Sequence, residues 1–263
     1  MTSRTLTATR PGPLTIDAHL LNHAGTITVR ATPRCTRATL TVRTADTTGP
    51  ASDAIRTATL RQDGTTLLVR VLNNSHVTRH HGRHVVNSAS SGPLIQADTI
   101  SGGIHFGGQA TLTTNAPRQW SAPITIEATV PEHSSVTART TTADIRIDGP
   151  VMDATCASDS GDIQVEQGLN TGARTETGAI TLGHTTVVEA STVSGPITIS
   201  HATGSHILTT DSGDITAHAT GACGIGARTG GGDITITATS AAIAAGLTVH
   251  TNSRSGRVSV PRR

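Results

Sequence analysis

Residues 158–165 read SDSGDIQV, and residues 210–217 repeat them as TDSGDITA. Around these copies the pattern hydroxyl–any–small–Gly–Asp–Ile–any–apolar recurs from about residue 136 to the end. Its turn position falls at Ala143, Gly161, Gly178, Gly195, Gly213, Gly232 and Gly256. The steps are 18, 17, 17, 18, 19 and 24 residues, and the last contains an alanine-rich insertion over 240–246. Two residues after each turn stand Ile145, Ile163, Ile180, Ile197, Ile215, Ile234 and Val258; four after, the residue is again apolar in every row. The residue between is polar, which is the period-2 alternation of a strand with one buried face.

Two more columns precede the turn. Five residues before it lies a mostly small column containing Ala138, Cys156, Ala173, Ala190 and Ala227. Three before it every row has a hydroxyl: Thr140, Ser158, Thr175, Thr192, Thr210, Thr229 and Ser253. A unit of 17–19 residues, with two short strands and a Gly corner, cannot bury its apolar face alone. Copies stacked about 4.8 Å apart can. The expectation is an all-β, β-helix-like solenoid of about seven rungs over 119–263. Gly is expected at the corner for its positive φ. The following Asp144, Asp162, Asp214 and Asp233 are expected to cap their own turn, and the hydroxyls to form an inward hydrogen-bond ladder.

Outward from the repeat, 1–72 reads as β of a less regular kind. Leu14, Ile16, Ala18 and Leu20 alternate, as do Ile27 with Val29 and Leu40 with Val42. Asp63-Gly64 between two apolar runs is a hairpin signal. No stretch shows a capped helical period. Residues 73–118 form a Gly/His-rich segment, either an insertion or extra rungs, and Ile124–Val130 leads into the first repeat.

Composition narrows the function. Lysine is absent, so all 20 basic side chains are Arg against 18 acids; there is one Phe, one Trp and no Tyr. That balance does not suit an electrostatic nucleic-acid binder. The lack of aromatic platforms sets aside stacking of bases and, by the same logic, of sugars. No apolar run reaches the roughly 18 residues of a membrane span. Met1–Gly12 lacks the apolar core of a secretory signal, so a cytoplasmic location is expected, with the cell surface reached only through another protein. Cys35, Cys156 and Cys223 have no zinc or redox spacing.

The hairpin followed by Leu67–Val71, the stretch PITIEATVP (123–131) and the SGDI turns at 160–163 and 212–215 together resemble the bacterial "putative adhesin" β-strand-repeat domain, a family of unknown function common in actinobacteria. The resemblance covers about residues 12–72 and 119–263. It implies the fold and an adhesin-like interaction role. Within the intervening segment, Asn87–Phe106 resembles bacterial amyloid signalling motifs of the RIP-homotypic-interaction type. The matching core is Leu94, Ile95, Gln96 and Ala97, flanked by Gly92 and by Ile100, Gly102 and Gly103. β-Branched residues, an amide and low charge suit cross-β stacking, while Pro93 and Asp98 depart from that pattern. The resemblance implies recruitment of a partner by templated strand pairing.

Candidate chemistry is sparse. His76, His80, His81 and His84 are metal-ligand types at close spacing, but Gly82 argues against the helix that would bring them together. His184, His201, His206 and His218 are scattered over the rungs with no evident convergence. Asp159 with Asp162, and Asp211 with Asp214, are candidate carboxylate pairs for a glycan-cleaving helix that lacks an aromatic groove. No nucleophile elbow, phosphate loop or dinucleotide fingerprint is present. The reading is a non-enzymatic scaffold without cofactor or metal, whose partner is an unidentified protein or a second copy of itself. The alternatives are a signalling protein using 87–106, and a glycan-binding or glycan-cleaving β-helix.

Overall fold

Ile163, Ile180, Ile197, Ile215 and Ile234 pair in parallel register, each directly above the last, and all are fully buried. The computed structural model describes residues 1–72, 105–106, 110–111 and 121–261. The chain divides into two compact units, 1–74 with 121–263, and 75–120. In the second unit, β7 (His105–Phe106) and β8 (Ala110–Thr111) form a two-stranded antiparallel pair.

The first unit is one 16-stranded sheet coiled into a stack. It begins with β1 (Thr2–Thr7), β2 (Thr15–Leu20), β3 (Gly25–Ala31), β4 (Thr39–Thr44), α1 (Pro50–Thr57), β5 (Thr59–Asp63) and β6 (Thr66–Val71). It resumes with β9 (Ile124–Val130), β10 (Ser135–Thr140), β11 (Asp144–Ala157), β12 (Ile163–Arg174), β13 (Ile180–Thr192), β14 (Ile197–Thr210) and β15 (Ile215–Thr229). The stack ends with β16 (Ile234–Ala238), α2 (Ser240–Ala244), β17 (Thr248–Ser253) and β18 (Val258–Ser259).

The N-terminal strands continue the repeat. β2 pairs in parallel with β10, and β3 with β11, so Ile27 sits under Ile145 and Ala18 beside Ala138. Each buried Ile contributes about 1.5–3 kcal/mol, and the ladder of like residues lets every rung share the same floor and ceiling. At the N-terminal end the stack finishes in antiparallel strands, β1 on β4 and β5 on β6, with α1 lying against β1, β4 and β6. The Arg4 guanidinium donates to the Ile55 and Arg56 carbonyls at the end of α1, where orphan acceptors need a donor.

Several expectations are revised. The two short strands per unit are one bent strand of 12–15 residues in β11 to β15. In β12 the buried positions are 163, 165, 168, 171 and 173. The two three-residue gaps mark bends where two successive residues face outward. Two short helices interrupt the β structure: α1 starts on Pro50, and the alanine-rich insertion forms α2, capped by Thr239 Oγ1 accepting from the Ala242 N–H at 3.1 Å. In the last rung Val258 and Val260 are exposed, since no described rung lies over them.

The corner glycines lie outside the positive-φ region. They are bare because of how closely the rungs approach. A Cβ on Gly178, Gly195, Gly213 or Gly256 would overlap the carbonyl of the corner one rung earlier. Ala143 is the exception; the strand beneath it, β3, is entered through a different turn, with Asn22 at φ 61.

Candidate functional site

The corner is a hydrogen-bond assembly that absorbs most of the polar columns that recur from rung to rung. In all seven rungs the hydroxyl three residues earlier accepts from the N–H of the corner residue, at 2.7–3.1 Å. Thr175, Thr229 and Ser253 also donate to the preceding corner's carbonyl, at 3.3, 3.1 and 3.0 Å. The inward hydroxyl column is therefore a ladder through the backbone.

The aspartates after the corners reach the next rung, and their own turn is capped by the hydroxyl instead. Asp144 Oδ1 accepts from the Asp162 N–H, Asp162 from Ala179, Asp214 from Asp233, and Asp233 from Arg257, at 2.7–3.0 Å. Ala179 lacks the carboxylate, and the residue above it, Pro196, lacks the N–H. Of the two carboxylate pairs considered for glycan cleavage, Asp162 and Asp214 are thus committed to inter-rung bonds.

One open site is a groove of about 340 Å³ at the bend of the rungs; another, of about 570 Å³, lies by the corners between Asp211, Arg228 and Arg254. The floor of the groove at the bend is Val151, Gly168 and Thr185, in register from β11 to β13, and Ala202 continues that inward column. Thr185 is 3% exposed, and its hydroxyl has no hydrogen-bond partner among the described residues. One wall is the row Pro150, Gln167, His184 and His201, again paired in register. The other wall lies one residue further along each strand: Met152, Leu169, Thr186, Thr203 and Thr220.

Three of the four histidines that looked scattered therefore form a ladder. The His184 and His201 rings stack at 4.0 Å with 4° between planes. His218 meets His201 edge-on at 6.5 Å and accepts or donates at Nδ1 to Thr237 Oγ1, 2.8 Å away. The fourth, His206, points inward and is buried. Its Nε2 donates to the Thr203 carbonyl at 2.8 Å, which leaves Nδ1 bare, and burial pushes its pKa below the usual imidazole value.

Cys156 is buried in the small column, where desolvation raises its thiol pKa to about 12. Among the described residues no three His, Cys, Asp or Glu side chains are grouped to hold a metal ion. No described helix is long and apolar enough to cross a membrane. The His76, His80, His81 and His84 run and the motif Gly92, Leu94, Ile95, Gln96, Ala97, Ile100, Gly102 and Gly103 lie outside the described residues.

No family model and no curated protein matches this sequence. Solved structures similar over nearly their whole length include a "putative lipid binding protein" from Parabacteroides distasonis, at 10% identity and TM-score 0.48, covering 99% of this chain and 97% of that one. A "putative adhesin" from Parabacteroides merdae has 11% identity and TM-score 0.45, with coverage of 99% and 97%. Another "putative adhesin", from Bacteroides fragilis, has 12% identity and TM-score 0.37, with coverage of 98% and 97%.

Proposed function

We propose that this chain is a non-catalytic, adhesin-like interaction scaffold that binds its partner along the groove at the bend. The observation that carries this reading is the pair of outward rows flanking the groove. Their side chains are held at the rung spacing by a hydrogen-bonded stack, so little ordering remains to be done on binding. Met152 and Leu169 are 38% and 45% exposed there, two of the large apolar side chains that the stack leaves in water. At the corners the polar chemistry is already committed: hydroxyls and four aspartates join rungs, and Cys156 is buried.

The test is an immobilised full-length chain probed against arrays of glycans, peptides and lipids, beside a Leu169→Asp/His201→Asp double variant. Loss of signal for one ligand class in the variant, with an unchanged melting temperature, supports the reading. Signals that never depend on the groove remove it. Turnover of any array component, scaling with protein concentration, removes the non-catalytic part.

A further inference from the structure

We infer that the groove takes a neutral, linear oligosaccharide; the assignment rests on the scaffold reading above. Among the described residues no Asp, Glu, Lys or Arg side chain lines it. A polymer of carboxylates or phosphates calls for guanidinium or ammonium partners, and no described arginine is among the lining residues. The polar groups that do line the groove are imidazoles, a primary amide and hydroxyls. Each of these both donates and accepts, which is the property of a sugar hydroxyl.

Geometry points the same way. The rows run along the stack axis, and from Pro150 to His218 four inter-strand steps span about 19 Å. An extended peptide presents the same side every two residues, about 6.8 Å, out of step with rungs about 4.8 Å apart. A linear pyranose chain advances close to one rung spacing per ring. The groove is also amphipathic in the manner of a sugar ring. Met152 and Leu169 offer an apolar surface for a C–H face, and Thr186, Thr203 and Thr220 offer hydroxyls further along the same wall. Its volume of about 340 Å³ lies at the small end of the roughly 300–1,000 Å³ of ligand sites.

The low aromatic content set sugars aside at the level of sequence. The ladder does not supply stacking faces, because His184 and His201 cover each other's; these imidazoles meet a sugar as hydrogen-bonding groups, and the apolar contact falls to Met152 and Leu169. Among the described residues no carboxylate lines the groove, and the assignment is to a chain that is held and not cleaved.

Isothermal titration of the full-length chain with cellohexaose, maltohexaose and laminarihexaose tests the assignment, with oligogalacturonate of equal length as the anionic comparison. At least one neutral hexaose binds, and both His201→Ala and Leu169→Asp weaken it by about tenfold or more at unchanged melting temperature. Oligogalacturonate binds no more tightly. Failure of all three neutral sugars at millimolar concentration, equal affinity in the two variants, or preference for the anionic chain overturns the assignment. If the arrays meanwhile show groove-dependent binding of peptides or lipids, the scaffold reading stands and only the ligand class falls.

Discussion

Replacing Gly195 by Ala puts the closest contact of the stack under direct test. The added methyl would overlap the Gly178 carbonyl one rung earlier, and Gly195 is not at positive φ, so any penalty comes from crowding alone. Overpacking of this kind costs about 1–3 kcal/mol. Separating these two rungs also stretches the Val193 and Ser194 N–H bonds to the Glu176 carbonyl, now 3.1 and 3.0 Å. Together these are worth about 1–2 kcal/mol. The smaller conformational freedom of unfolded Ala offsets about 0.5–1 kcal/mol. The net expectation is a loss of about 2–4 kcal/mol.

Gly224→Ala is the matched control. It lies in β15, nothing stands within 4 Å of its Cβ, and its φ is ordinary. With no crowding to oppose it, the unfolded-state term leaves an expected gain of about 0.5–1 kcal/mol. Urea unfolding followed by far-UV circular dichroism measures both, with the slope checked because stacked repeats can lose cooperativity. Equal midpoints for the two variants would falsify the close-approach account of the corner and return the glycines to a purely conformational role.

Asp214→Ala removes the carboxylate that accepts from the Asp233 N–H and should cost about 0.5–1.5 kcal/mol. Ala179→Asp should gain nothing, because Pro196 above it has no N–H; a stabilised Ala179→Asp protein in the same urea assay contradicts the inter-rung bond. His206 has a folded pKa below its unfolded value through burial. As pH falls through about 6.5 the unfolded state takes up a proton first, and stability drops by at most about 1.4 kcal/mol per pH unit for this group. His206→Leu should flatten that slope between pH 7 and 5, leaving the part due to His23, whose pKa burial also lowers; an unchanged slope places the acid sensitivity elsewhere. In native protein, alkylation timed by mass spectrometry should label partly exposed Cys35 well before buried Cys223 and Cys156; early labelling of Cys156 means the small column does not face inward.

The inward half of this fold was legible because parallel, in-register stacking puts each residue on its own equivalent. Selection for the same shape then repeats the same letters at Ile163, Ile180, Ile197 and Ile215. The reasons behind the letters were less legible. A glycine for positive φ and a glycine for a neighbouring carbonyl look alike in sequence. The role of the aspartates did leave a trace, in that Ala179 forgoes the carboxylate just where Pro196 forgoes the N–H. Gly25, Ile27 and Val29 carry the corner spacing too, and their place in the stack was readable from it. α1 also carried its signals, Pro50 at the start and Arg56 in the last turn, but eight residues are too few for a helical period to stand out.

The groove was hidden for a different reason. Gln167, His184 and His201 each lie six residues past their corner, whereas His218 lies five past Gly213, because the bends gain or lose a residue between rungs. Columns counted from the corner therefore drift out of phase at the outward positions where a ligand would be met. Counting from the inward floor instead, through Gly168, Thr185, Ala202 and Ala219, puts each wall residue directly before its floor residue and restores the row. Stacking constrains the inward residues and leaves the outward ones free to vary, so in such a solenoid chemistry is sought in rows aligned on the nearest buried residue, bend by bend.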